Sequence, residues 1–403
     1  MAIGRDLVQS GPYLSREARP TVGLSILARD EADTIVDAIS SCEGVVSDVC
    51  VLVDTRSQDG SASAARSAGA RVELLDQWPG MAGARNRLIE LARTDWVLVL
   101  DGHERLSTSG RETLRRGIES GALEQIGERT SVVSLLLALS EREGGAVAPV
   151  PRLHRREGVR YLWDVHPLPT VEGALPEGVL WSGVELLHDD PGSSAAAYRD
   201  RQKERFNRLL SEYDSGAAST PGATARRAPL VVEAAHSSGR HELASLLGLG
   251  WLEVHGRAAS QHRAAYVAEL VARSFLLAGQ QDKARELANG WAVLAPGRAG
   301  LMILQGDCAL VLGRSDTASV LYQAAAGIKP PQWGWYRTPD YRWRPYTRLA
   351  GLAVREDRWA DCQDLVGLAQ SSSEDAHIKR KLDVLAGQVA SRHPGLGDAL
   401  VAF

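Results

Sequence analysis

This sequence predicts an α/β domain built on a mostly parallel sheet, followed by an all-α domain of helical repeats. Three observations carry that reading. The first 190 residues alternate short apolar runs with helix-spaced patterns, residues 214–229 are rich in Ser, Gly, Pro and Ala, and a 34-residue period runs through the helical stretch beyond them. The expected bounds are a tail over 1–20, an α/β domain over 21–213, a linker over 214–229 and a helical domain over 230–403.

The elements follow in order. Val22 to Leu27 is an apolar run leading into Arg29-Asp30-Glu31. Ile35, Ala38, Ile39 and Cys42 then recur at helical spacing behind acidic residues, which suit a helix N-terminus. Val49 to Val53 is a second strand ending at Asp54, and the small-residue stretch SASAARSA is a helix stopped by Gly69. Residues 71–75 make a third strand, 82–93 a helix, and Trp96 to Leu100 a fourth strand ending at Asp101. The run Val132 to Leu139 fits a further buried strand. Apolar strands separated by helices imply a sheet covered on both faces. Ligands bind such sheets at the carboxyl ends of the strands, where Asp54 and Asp101 sit.

Beyond the linker, Gly279, Ala284 and Pro296 recur as Gly313, Ala318 and Pro330. The period resembles tetratricopeptide repeats, whose paired helices stack to bury one another's faces. Ala360 is the expected third alanine, with the aromatic segment 331–346 as an insertion. A non-repetitive helical bundle is the alternative.

Composition narrows the function. A chain of 403 residues is too long for one ordinary core. A net charge of −4 without a long Lys/Arg block argues against nucleic acid as a partner. Cys42, Cys50, Cys308 and Cys362 are scattered, as expected of reduced thiols, and with no signal-like or membrane-spanning apolar stretch the sequence reads as cytoplasmic. Walker-type, HExxH and GxSxG motifs are all missing.

The strongest chemical feature is Trp96-Val-Leu-Val-Leu-Asp101-Gly102-His103-Glu104. A carboxylate and an imidazole on one turn after a buried strand suit Mn²⁺ or another borderline divalent ion. A capped strand end with a solvated turn is the other reading.

The strings VGLSILARDEADTI, VCVLVDTRSQDGSASAARSAGARV and WPGMAGARNRLIELARTDWVLVLDGHE together resemble the family-2 inverting glycosyltransferases of GT-A fold, a Rossmann-like architecture. The likeness is dense over 21–104 and returns at Pro151–Arg155, Asp164–His166 and Leu187–Asp190. It is similar to the branch of lipopolysaccharide-core transferases and sublancin-type peptide S-glycosyltransferases, in which C-terminal tetratricopeptide-like helices occur.

The resemblance implies roles. Glu31 and Asp54 would line the nucleoside pocket, Arg85 and Asn86 would stand beside the donor, and Asp101 would contact both donor and metal. His103 replaces the family's second Asp, and His188 would be a further ligand. The implied cofactors are a divalent metal, Mn²⁺ or Mg²⁺, and a nucleotide-sugar donor, UDP-linked. The implied acceptor is a peptide, protein or glycan, and a homo-oligomer is compatible with the sequence.

The sequence departs from the family at Asp30, where Asn is frequent, and at Pro167, where Val-His-Glu is expected. Without that acid, an extended 161–166 would put Asp164 and His166 on one face, with His166 as general base and Asp164 orienting it or replacing it. His154 stands where the family tends to have Phe and reads as a packed or surface histidine. Trp333, Trp335, Tyr336, Tyr341, Trp343 and Tyr346 are either a sugar- or peptide-contacting patch or packing between repeats. The competing functional reading is a degenerate transferase that serves as a nucleotide-binding or protein-interaction scaffold.

Overall fold

The structure is a computed structural model that describes residues 2–3, 20–129, 134–141, 146–173, 179–188, 195–214, 221–331, 334–373 and 376–402. The chain divides into two compact units, residues 1–141 with 148–192, and residues 142–147 with 193–403.

The first unit is the expected α/β domain. Its elements in chain order are β1 (Ala2–Ile3), β2 (Val22–Ala28), α1 (Ile35–Ser40), β3 (Asp48–Asp54), α2 (Ser61–Ser67), β4 (Arg71–Leu75), α3 (Gly80–Leu91), β5 (Trp96–Asp101), β6 (Glu104–Leu106), α4 (Thr108–Glu119), α5 (Ala122–Arg129), β7 (Ser134–Glu141), β8 (Ala146–Arg155), β9 (Val159–Leu162), β10 (Leu168–Val171) and β11 (Val179–His188). Every residue of β2 is buried, as a central parallel strand requires. β3 and β5 flank β2 in parallel, and β4 continues beyond β3.

The sheet is mostly parallel, as expected, with antiparallel pairings added on one side. β8 runs antiparallel to β5, and β6 pairs antiparallel with β11, which itself lies parallel to β7. The expected run Val132 to Leu139 is represented by β7, and residues 132–133 lie outside the described residues.

Strand order positions the site. The chain builds outward from β2 through β3 to β4, then returns to place β5 on β2's other side. The carboxyl ends of β2 and β5 therefore flank a topological switch point, with Leu27 in register with Asp101.

The second unit is helical: α6 (Ala195–Asp214), α7 (Pro221–Ser237), α8 (His241–His255), α9 (Gln261–Leu277), α10 (Gln281–Leu294), α11 (Ala299–Val311), α12 (Ser315–Ala326), α13 (Thr338–Tyr341), α14 (Arg344–Arg355), α15 (Trp359–Ser372), α16 (Ala376–Ala390) and α17 (Leu396–Ala402). Among the described residues no helix is long and apolar enough to cross a membrane. α6, expected with the first domain, falls in this unit. Much of the expected linker is helix: 221–229 opens α7, with Pro229 inside it, and 215–220 lie outside the described residues.

The repeat is a recurring turn. Gly239, Gly279 and Gly313 each end a helix at positive φ (83°, 73° and 72°), and the residue five positions on (Ala244, Ala284, Ala318) is fully buried. At Gly279 and Gly313 the turn is closed by paired amide bonds, Gln280 N to Phe275 O at 2.8 Å and Arg314 N to Ala309 O at 2.9 Å. The third alanine expected at Ala360 is displaced. Asp357 (φ 58°) takes the turn position, and Cys362, also fully buried, takes the alanine's place, while Ala360 is exposed.

The aromatic segment packs among the helices. Tyr341 and Trp343 are buried, the Trp335 ring lies 5.7 Å from Tyr266, and the Trp335 carbonyl accepts from Arg298 at 2.7 Å. Tyr336 and Tyr341 meet edge to face at 5.2 Å, and Tyr346 packs against the core that contains Trp343. Trp333 lies outside the described residues. Buried ion pairs accompany the segment: Glu269 with Arg298 (2.8 and 2.9 Å), Asp340 with Arg344 and Arg273, and Asp307 with Arg348 (2.8 Å), Asp307 also accepting from the Tyr322 hydroxyl (2.8 Å).

Candidate active site

The turn after β5 carries the site. Asp101 ends the strand, Gly102 and His103 form the turn, and Glu104 opens β6. Because β6 pairs with β11 and His188 is in register with Glu104, a residue 85 positions away arrives beside His103. The two Nε2 atoms are 3.1 Å apart, and the rings meet edge to face at 4.7 Å.

Glu31, just past β2, stands behind His103, with Oε1 2.8 Å from His103 Nδ1. Burial disfavours the charged form of His103, but the hydrogen bond and charge of Glu31, with those of Asp101 and Glu104, outweigh it and raise the pKa. Glu31 thus faces the His103 imidazole.

Asp101 is held by two arginines. Arg85 Nη2 donates to its carboxylate at 2.8 and 3.2 Å and Arg152 Nη2 at 3.0 Å. Burial opposes ionisation of Asp101, but the Arg85 and Arg152 charges prevail and hold it well below the usual carboxylate range. Arg152 also pairs with buried Glu104, whose Oε2 accepts from the Asp101 amide at 3.0 Å. Burial, aided by the charge of Asp101, raises the Glu104 pKa. Behind these groups the Tyr161 hydroxyl and His154 Nε2 meet at 2.6 Å, both fully enclosed, so His154 is the packed histidine the sequence suggested.

Asn86 performs a scaffolding task. Its side chain accepts from the Tyr161 amide at 2.6 Å and donates to the Tyr161 carbonyl at 3.0 Å, which pins α3 to β9.

Asp54, at the end of β3, is 1% exposed, and its carboxylate is gripped by Arg56, with Nε at 2.9 and 3.1 Å and Nη2 at 2.6 Å. Those bonds lower the Asp54 pKa despite burial. The Arg56 guanidinium also lies 5.3 Å over the Trp78 ring.

The expected extended run 161–166 does not form. β9 ends at Leu162, and Trp163 (φ 67°) and His166 (φ 51°) are left-handed, so 163–166 is a turn and the alternation that would align Asp164 with His166 is lost. Asp164 instead points to the start of α3, where it accepts from the Ala82 amide at 3.1 Å. His166 is exposed.

Three participants escaped the sequence reading: Arg56, Glu104 and Arg152. Arg56 lies two residues beyond Asp54, and Glu104 and Arg152 lie in family-like segments, but only their ion pairs in the folded chain reveal a role.

The donor set fits a borderline divalent ion. Two nitrogens each about 2.1 Å from one ion stand about 3.0–3.4 Å apart at octahedral or tetrahedral angles, which brackets the His103–His188 separation of 3.1 Å. Among the described residues no group of three or more His, Cys, Asp or Glu side chains is arranged to hold an ion by itself. Ligand oxygens would have to complete the coordination.

Residues 26–120 match the family described as glycosyl transferase family 2. A TPR repeat-containing protein of Synechococcus elongatus is 30% identical over 155 residues, 38% of this chain and 36% of that protein. The succinoglycan biosynthesis protein ExoO of Rhizobium meliloti is 40% identical over 105 residues, 25% of this chain and 29% of that protein. This chain therefore spans only about a third of the length of these relatives. A solved mannosyltransferase from Pyrobaculum calidifontis, in complex with GDP-Man and Mn²⁺, superposes with a TM-score of 0.39 at 15% identity, over 76% of this chain and 86% of that one. The chain carries a glycosyltransferase family 2 domain, followed by a helical unit of tetratricopeptide type.

Proposed function

We propose that this protein transfers a sugar, with inversion, from a nucleotide-sugar donor to a peptide, protein or glycan acceptor, with a divalent ion held by His103 and His188. The observation that carries the reading is the convergence of the two Nε2 atoms at 3.1 Å on the carboxyl-end side of the switch point. When bound, such an ion supplies the Lewis acidity that offsets charge growing on the departing diphosphate.

The chain's own residues do the rest. Asp54 is an acceptor-only carboxylate and would receive a base N–H or ribose hydroxyl once Arg56, 51% exposed, turns outward. Arg85 and Arg152 neutralise Asp101 and hold its carboxylate in place. As the acceptor oxygen bonds to the anomeric carbon, the bond to the diphosphate oxygen breaks on the opposite face and the acceptor's proton passes to His166. Asp164 accepts from the start of α3, which supports a capping role for it and His166 as the proposed base. A UDP donor and an acceptor like those of the sublancin-type branch are the specific forms the motif resemblance favours.

The test is turnover of a panel of nucleotide sugars, read as release of nucleoside diphosphate with Mn²⁺ or in EDTA. Turnover should require the ion and be abolished in His103→Ala and His188→Ala. Full activity in EDTA, or in either variant, would overturn the assignment.

A further inference from the structure

Building on the His103–His188 reading, we infer that Glu31 is the positioning residue of the ion site: it fixes which nitrogen of His103 faces the ion and so sets the site's affinity.

The first argument is chemical. An ionised carboxylate only accepts hydrogen bonds, so Glu31 Oε1, 2.8 Å from His103 Nδ1, places the ring proton there and leaves Nε2 with its lone pair toward His188. Oε2 is engaged as well, accepting from the Thr34 hydroxyl at 2.9 Å, so the carboxylate cannot swivel without losing a bond. A carboxylate behind a ligating imidazole is a common means of orienting the ring and raising its basicity.

The second argument is steric. A Cβ at Gly102 would meet Glu31 Cγ at 2.9 Å and Cβ at 3.0 Å. The turn between Asp101 and His103 thus closes directly on the Glu31 side chain, and only a hydrogen fits there.

The third is the rigidity of the backbone beneath. The Glu31 amide donates to Ser61 Oγ at 2.8 Å, and its carbonyl accepts from Ile35 N at 2.9 Å. Asp30, at φ 56°, turns the chain sharply just before it, and its carboxylate accepts from the Gln58 amide at 2.7 Å. Glu31 is thereby fixed to the starts of both α1 and α2.

The experiment uses the full chain and two readouts that need no turnover. Nitrogen-15 spectra of the histidine-labelled, metal-free protein report the His103 tautomer. Co²⁺ titration followed by calorimetry and visible absorption reports the site. At a pH high enough to leave the ring neutral, wild type should show a single Nδ1-protonated form of His103. Glu31→Ala should show mixed tautomers and weaken Co²⁺ binding by about 10- to 100-fold. Glu31→Gln, whose amide oxygen can still accept from Nδ1–H, should recover part of the loss. An unchanged tautomer in Glu31→Ala, or Co²⁺ affinity within threefold of wild type, overturns the inference. Failure of the underlying ion reading would look different, with His103→Ala itself leaving Co²⁺ binding intact.

Discussion

The carboxylate of Asp164 accepts a hydrogen bond from the backbone amide of Ala82, 82 residues earlier in the chain. Pro79, at the N-cap of α3, offers no side-chain acceptor, so a distant turn supplies the cap. Gly80 (φ 84°) leaves room for it, since a Cβ there would meet the Asp164 oxygens at 2.3 Å. Loss of an N-cap acceptor costs about 0.5–2 kcal/mol. Asp164→Ala should lower unfolding free energy by that amount in denaturant titrations while donor turnover stays within a few-fold. A hundredfold loss of turnover at unchanged stability would return Asp164 to the chemistry.

His166 should behave in the opposite way. Removal of a positioned general base costs about 10²- to 10⁴-fold. His166→Ala should cut transfer to a hydroxyl acceptor by that order, with nucleotide affinity by calorimetry nearly unchanged. A loss below threefold rejects the role. A cysteine acceptor would soften the requirement, because a thiol is already partly ionised near neutrality.

Stability should depend on pH through His154. Burial, reinforced by the Arg152 and Arg85 charges, depresses its pKa from 6.5 to about 3. Between those values the unfolded chain binds a proton that the native state refuses. Stability therefore falls as pH drops from 6.5 toward 3, at up to about 1.4 kcal/mol per pH unit for this one group. His154→Phe should flatten that slope in melts of the full chain. An identical slope in wild type and variant would show that other groups set it.

In the helical unit, Asp307 is the sole partner of two buried groups, Arg348 Nε and the Tyr322 hydroxyl, among the described hydrogen bonds. Breaking a buried pair by removing one partner typically costs about 3–5 kcal/mol. Asp307→Ala should destabilise by that much, read by thermal and chemical denaturation. A loss under 1 kcal/mol would mean that Arg348 finds water or another acceptor.

Gly279 and Gly313 isolate the contribution of the repeat turn. A Cβ at either would meet nothing within 4 Å, so the whole effect of Gly→Ala lies in the left-handed backbone. Each substitution should cost about 1–2 kcal/mol, and the double variant should show the sum. Neutral substitutions would mean that the turn relaxes freely.

Much of the architecture was legible in the residues themselves, because burial patterns with periods of two and 3.6 are local. Val22–Leu27 and Trp96–Leu100 read as buried strands, and Asp54 and Asp101 read as strand-end acids, without reference to any partner. The pairing of left-handed glycine with a buried alanine five residues on exposed the repeat at Gly279 and Gly313. Its equivalents at Gly239 and Asp357 hid behind different spacings, and at Asp357 behind a different residue. The site's wiring was not legible, because the bonds that bring in Glu31, Asp164 and His188 join residues 72 to 85 positions apart. His188 meets His103 through the pairing of β6 with β11, Glu31 reaches His103 because β2 and β5 are neighbours, and Asp164 finds α3 because β9 ends early and turns. Local sequence determined which groups stand at the ends of strands. Only strand register and the turns after the strands decided which of those groups touch, since hydrogen-bond partners are chosen by distance in space rather than along the chain.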